Sequence, residues 1–198
     1  SEAVATSTEK ELGCVVVDIG GGTTSISAFI DGALSFSGVI PIGAKNVTND
    51  LAIGLRVSLE SAEKIKIALS SNSKKSIRVS QSEGDQIELK ELGISEEKKV
   101  SKKTLIEGII RPRLNEIFTI VRLELERAGI ANRVPSGVII TGGGAEAVGS
   151  IESAKRMLTL PVRLGVPRGV EGLIDDIIQP SFATPIGLIL YGAKQGSK

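Results

Sequence analysis

Two apolar runs, each closed by three glycines, constrain this chain more than anything else in it: Val15-Val16-Val17-Asp18-Ile19-Gly20-Gly21-Gly22-Thr23-Thr24 and Gly137-Val138-Ile139-Ile140-Thr141-Gly142-Gly143-Gly144. Short runs of this kind bounded by glycine read as strands. Glycine then lets the backbone turn sharply or come close to a ligand, so a strand running into such a turn is a phosphate or nucleoside cradle in outline. One turn is weak evidence. Two, far apart in sequence, predict a cleft lined from two sides by backbone, provided both corners converge on one pocket mouth.

At 198 residues the chain makes one domain or two small lobes and buries roughly 70% of its unfolded surface. Four Phe, one Tyr and no Trp leave the core to Ile, Leu and Val. A net charge of +1 with both signs interspersed gives no footprint for nucleic acid, and so few aromatics give no platform for stacking bases. Histidine is absent, which removes His-based triads and His-ligated zinc and leaves carboxylates and hydroxyls as the reactive groups. The single Cys14 opens an apolar strand and reads as a buried thiol, and the lack of any internal disulfide fits a reducing cytoplasm. No apolar run approaches the roughly 20 residues of a spanning helix, and no signal peptide is expected. The chain begins with Ser1 and has Met157 as its only methionine, so it is expected to be part of something larger.

Residues 1–10 are small and polar and read as a linker or frayed end. Residues 12–18 suit a central strand buried on both faces. Residues 23–30 alternate with Ile26, Ala28 and Ile30 on one face, and Asp31-Gly32 turns into a third strand over 33–41, giving an antiparallel meander. Helices are predicted over 46–55, where Asn46 caps Val47, Leu51 and Leu55, and over 58–69, capped by Ser58 with Ser61 nearby. A polar loop over 70–76 leads to a charged insert up to 103, with short strands around Ile77, Val79, Ile87 and Leu89. A long helix over 104–128 should kink at Pro112 or break near Gly108 and stop at Gly129. A strand over 138–141, a helix over 150–158, a strand over 162–166 and a helix over 184–191 complete the chain.

The first turn joins two antiparallel strands, and its successive N–H groups, with the Thr23 and Thr24 hydroxyls, form an anion-binding nest. A plain hairpin is the rival, but three consecutive glycines cost backbone entropy that a hairpin does not need. Asp18 beside the nest suits Mg²⁺ held through water. No Lys follows at P-loop spacing. The second turn fits the loose dinucleotide fingerprint, yet no ribose-binding acid stands about 20 residues on, where Pro161-Val162-Arg163-Leu164 lies. A glycine platform beside a nucleoside is the better reading. Glu63 and Lys66, at (i, i+3) on one helix, read in isolation as a surface pair worth a few tenths of a kcal/mol. Glu96, Glu97, Lys98 and Lys99 read as a solvated turn or edge.

The order Asp-Ile-Gly-Gly-Gly-Thr-Thr, then Glu63-Lys64-Ile65-Lys66, then Thr141-Gly142-Gly143-Gly144, then Gly187-Leu188-Ile189-Leu190-Tyr191-Gly192 resembles the second half of the actin-like ATPases. Within that superfamily it looks most like the FtsA-like cell-division proteins, through Glu9–Gly13, Pro41-Ile42-Gly43, Val47-Thr48-Asn49-Asp50 and Arg111-Pro112-Arg113. The resemblance implies an α/β, actin-like (ribonuclease H-like) mixed sheet flanked by helices, with a small α+β insert lobe. Residues 11–45 and 104–198 would form subdomain IIA, residues 46–103 subdomain IIB, and residues 1–10 the linker. It implies ATP and Mg as ligands: Asp18 near the metal, Gly20, Gly21, Gly22, Thr23 and Thr24 as a phosphate loop, Gly142, Gly143, Gly144 and Ala145 as an adenosine loop, and Glu63 and Lys66 at ribose and adenine. Ser25 and Ala44 depart from the family pattern. The resemblance further implies self-association into filaments, an FtsZ C-terminal peptide bound on the IIB lobe, and peripheral placement at the inner face of the membrane through a C-terminal helix beyond this stretch. Catalysis needs a first domain that this stretch does not include, so the fragment by itself is not expected to turn over ATP. A PilM-like pilus scaffold and the ATP lobe of an actin-fold small-molecule kinase are the alternatives.

Overall fold

The computed structural model describes residues 1–75, 85–94, 99–170 and 177–196, with side chains for all of these except 71–75 and 196. Leu12 ends a short helix, α1 (Ser7–Leu12), instead of opening a strand. The Thr6 hydroxyl accepts the Glu9 N–H at 3.1 Å while the Glu9 carboxylate accepts the Thr6 N–H at 2.8 Å, a reciprocal cap. The first ten residues are therefore not frayed. Ala3 and Val4 are buried, and the polar residues that suggested a loose end are paired: Glu2 with Lys10 and Lys194, Glu9 with Arg163.

β1 (Cys14–Ile19), β2 (Thr24–Ile30) and β3 (Ala33–Ile40) form the predicted antiparallel meander. Its second corner is Asp31-Gly32, both at positive φ, the geometry that matches strand twist in a two-residue hairpin. β6 (Val138–Thr141) lies parallel to β1, and β7 (Val162–Leu164) parallel to β6, so the described strands of this sheet run in the order β3-β2-β1-β6-β7. The central strand is buried on both faces. Val15, Val17 and Ile19 point to a large core with α2 (Ala44–Leu55), α3 (Leu59–Lys75), α5 (Arg111–Arg127) and α6 (Ser150–Leu158), while Cys14 and Val16 meet Ala183 and Ile186 of α7 (Ala183–Gly196). Helices thus cover both sides of a mixed sheet.

Several boundaries moved for local reasons. α2 begins at Ala44, because Asn46 caps from inside the first turn, its side chain accepting the Gly43 N–H at 3.0 Å. α3 continues through the stretch expected to be a loop, with the Ser70 hydroxyl donating to the Lys66 carbonyl at 2.9 Å, a bond that lets serine stay inside a helix. The break before Pro112 is a π-helical turn, Ile106–Ile110, which follows α4 (Lys102–Leu105). Pro112 then sits in the first turn of α5, directly after the π-helical turn, whose wider spacing takes up the proline that a regular helix interior would not accommodate. β4 (Gln86–Glu88) and β5 (Lys99–Ser101) pair as a small separate sheet, and Leu89 belongs to a 3₁₀ turn, Leu89–Leu92, not a strand. Lys99 forms an ion pair with Glu88 across it. The expected strands at Ile77 and Val79 and the charges Glu96, Glu97 and Lys98 lie outside the described residues.

Candidate functional site

Parallel pairing brings the two glycine corners together. Asp18 stands opposite Thr141 in the β1–β6 register, so both strands end at the same edge, where crevices form in open α/β sheets. A cavity of about 470 Å³ opens there. Gly21 of the first corner and Gly143 and Gly144 of the second line it, facing Lys45 of α2 and Glu63 and Lys66 of α3.

The first corner is held from behind. The Gly20 N–H donates to the Thr23 carbonyl at 2.9 Å, and the first N–H groups of α2 reach back to the loop, Ala44 to Gly20 O at 2.9 Å and Lys45 to Gly21 O at 2.8 Å. This docking requires a bare backbone at Gly43, where a Cβ would lie 2.6 Å from Gly20 O and 2.7 Å from Gly21 O. On the other side the loop is open. A Cβ at Gly22 would meet nothing within 4 Å, and one at Gly21 only the Lys45 stem at 3.5 Å. Thr23 is exposed. Thr24 is not: it is fully buried and its hydroxyl donates to the Ile42 carbonyl at 2.8 Å, so of the two threonine hydroxyls only that of Thr23 is free to face a ligand.

The second corner is packed. Gly142 has φ +83°, and a Cβ there would come within 2.3 Å of Asp18 Oδ1; at Gly144 it would fall 2.4 Å from Ile19 Cγ2. Gly143, exposed, has its nearest neighbour at 3.9 Å. Ala145 is buried and does not line the cavity. Asp18 is half-buried between the corners, with Oδ2 accepting the Thr184 hydroxyl of α7 at 2.7 Å. Among the described residues no three His, Cys, Asp or Glu side chains gather into a metal cage. A lone carboxylate suits a hard cation met through water.

Glu63 and Lys66 are not a free surface pair. Their 2.8 Å ion pair is tied to α2 through Thr48, which accepts from Lys66 Nζ at 2.9 Å and donates to Glu63 Oε2 at 2.6 Å. Burial works to raise the Glu63 carboxyl, but the Lys66 ammonium and the Thr48 hydroxyl outweigh it and hold it below its usual range. Ile67 and Ser70 extend the same wall. Sequence reasoning missed both, although 63, 66, 67 and 70 follow the i, i+3, i+4, i+7 spacing of one helix face. It also missed Ala44 and Lys45, Glu146 and Ala147, and Gln179, which enter the cavity through tertiary folding. The Ser70 hydroxyl closes the wall by accepting the Val148 N–H at 3.2 Å.

A family model described as cell division protein FtsA matches residues 15–187. The chain is 40% identical over 195 residues to the cell division protein FtsA of Pseudomonas aeruginosa, covering 98% of this chain and 46% of that protein. It spans about half the length of the curated relatives it matches. Among solved structures, the actin-like fold recurs in MreB 5 of Spiroplasma citri bound to AMPPNP, with a TM-score of 0.70 at 19% identity over 97% of this chain and 56% of that one. It recurs also in the PilM-PilN type IV pilus biogenesis complex, with a TM-score of 0.64 at 20% identity over 94% of this chain and 47% of that one. No helix among the described residues is long and apolar enough to cross a membrane.

Proposed function

Because this chain belongs to the FtsA family of cell division proteins, we propose that it is the nucleotide-binding half of an ATP-dependent division protein. The observation that carries this reading is the placement of the unencumbered glycines. Gly21, Gly22 and Gly143 have ordinary φ values, and a Cβ would meet nothing at Gly22 and only ordinary contacts, at 3.5 Å or more, at Gly21 and Gly143, so the fold itself does not demand glycine there. Close approach of a ligand does. Gly20 to Thr23 would take the phosphates, Gly143 and Gly144 the adenosine, and Glu63 and Lys66 the ribose and base. Mg²⁺, when bound, supplies charge neutralisation for the phosphates, and Asp18 would meet it through water. Gly142 and Ala145 shape the second loop from behind, and Thr24 anchors the first.

The family points to FtsZ, self-association and the inner face of the membrane as the wider setting. By the same family argument the FtsZ C-terminal peptide would bind the IIB lobe, residues 46–103; a groove lined by Asp50 and Ile53 of that lobe, and by Ile109, Arg113 and Glu116 beyond it, offers both apolar and charged groups to an extended peptide. The pilus-scaffold and kinase alternatives rest on fold-level likeness alone, whereas the sequence matches are to FtsA. Titrating Mg-ATP into the full-length protein tests the nucleotide reading; absence of heat and of competition by ADP overturns it. Capture by immobilised FtsZ peptide, with the pilus peptide as control, tests the partner.

A further inference from the structure

We propose that Lys45 supplies the positive charge that receives the polyphosphate of the bound nucleotide, an inference that rests on the nucleotide reading above. Lys45 is exposed, lines the cavity, and lies along the first glycine corner. Its Cε, Cγ and Cδ are 3.5, 3.7 and 3.8 Å from where a Cβ on Gly21 would be. Its backbone N–H is bonded to Gly21 O at 2.8 Å, so the side chain keeps its register with the loop whatever its terminal rotamer.

The surrounding donors narrow the choice. A helix start ordinarily offers free N–H groups to an anion. Here those of Ala44 and Lys45 are spent on the loop carbonyls. Lys66, the other cation in the cavity wall, is engaged by Glu63 and Thr48. Lys45 has no carboxylate within ion-pair distance among the described residues. An ammonium on a flexible stem, without a counterion among the described residues and beside an open glycine loop, is a mobile point charge suited to phosphate oxygens. The ligand it fits is a nucleoside triphosphate, whose extra charge over the diphosphate gives the larger gain.

Calorimetric titration of ATP, ADP and adenosine into the full-length protein and its Lys45→Gln and Lys45→Arg variants tests this. The expected result is an ATP affinity about tenfold weaker in Lys45→Gln, a smaller loss for ADP, no change for adenosine, and recovery of most of the ATP affinity in Lys45→Arg. Added salt should weaken ATP binding more in the wild type than in Lys45→Gln, because screening acts on the charge that the variant lacks. Unchanged ATP affinity in Lys45→Gln overturns the assignment and leaves the nucleotide reading standing. Equal losses for ATP and adenosine also overturn it, since they mark a wall residue instead of a charge. A wild type that binds no ATP overturns both.

Discussion

The two glycine corners look alike in sequence and are opposites in structure. At Gly142 and Gly144 the missing side chain makes room for the protein's own Asp18 and Ile19. At Gly22 it makes room for nothing the chain supplies, and at Gly21 a side chain would meet only the flexible Lys45 stem, at ordinary contact distance. The packed corner is a joint between β1 and β6 that the fold needs in order to exist. The open corner is a surface that the fold can do without. Identical letters therefore carry different selective reasons, and only the direction of the absent Cβ tells them apart.

The largest effect should come from breaking the joint. Gly142→Val must place a β-branched residue at φ +83° against a carboxylate oxygen, and should cost roughly 3 kcal/mol or more of stability, read by urea denaturation. A stability near wild type would erase the distinction between the corners. At the open corner, Gly21→Val should leave the denaturation midpoint close to wild type and weaken ATP binding at least tenfold by calorimetry, about 1.4 kcal/mol; Asp18→Ala should weaken binding as much but also lower the midpoint, because it removes the carboxylate that accepts the Thr184 hydroxyl. Intact affinity would remove the first corner from the site.

Acid should loosen the packed side first. The Arg163 guanidinium on β7, next to β6, takes the Glu9 carboxyl from its ordinary 4.5 to about 2 against the opposing effect of burial. A carboxylate held below its unfolded value adds stability that is complete above pH 4.5 and disappears as pH falls toward 2. Hydrogen exchange across that window should rise at β6 and β7 before β2 and β3; the reverse order would locate the acid-sensitive contact elsewhere. The smallest effect is expected for Gly22→Ala. It enters open space at an ordinary φ and should be neutral to stabilising by about 0.4–1 kcal/mol through the unfolded chain. Destabilisation by more than that would mean the loop is tighter than its geometry indicates.

Most of the sheet was readable because its signals are local: β-branched runs, an Asp-Gly corner and glycine stops. What escaped was set by distant partners. The polarity of residues 1–10 concealed Glu9 waiting for Arg163, 154 positions away. Pro112 advertised a break, but only packing decided that a π-helical turn would absorb it. Thr24 seemed a ligand donor until strand pairing pointed its hydroxyl at Ile42. Lys45 stayed invisible, since nothing adjacent in sequence says that the start of α2 folds over Gly21. The convergence of the two corners could be anticipated in kind, because parallel neighbours end on one side, while the identity of the α3 wall depended on how that helix is rolled.

The bonds from Ala44 and Lys45 to the glycine carbonyls fasten the start of α2 to the open corner. Loop and helix are tied end to end: about 9 Å of helix separates the residues bonded to Gly20 and Gly21 from Asp50, whose carboxylate holds Arg113 at 2.6 and 2.9 Å. A probe beside the Asp50–Arg113 pair would therefore read whether an occupant of the glycine end is felt at the far end of the helix.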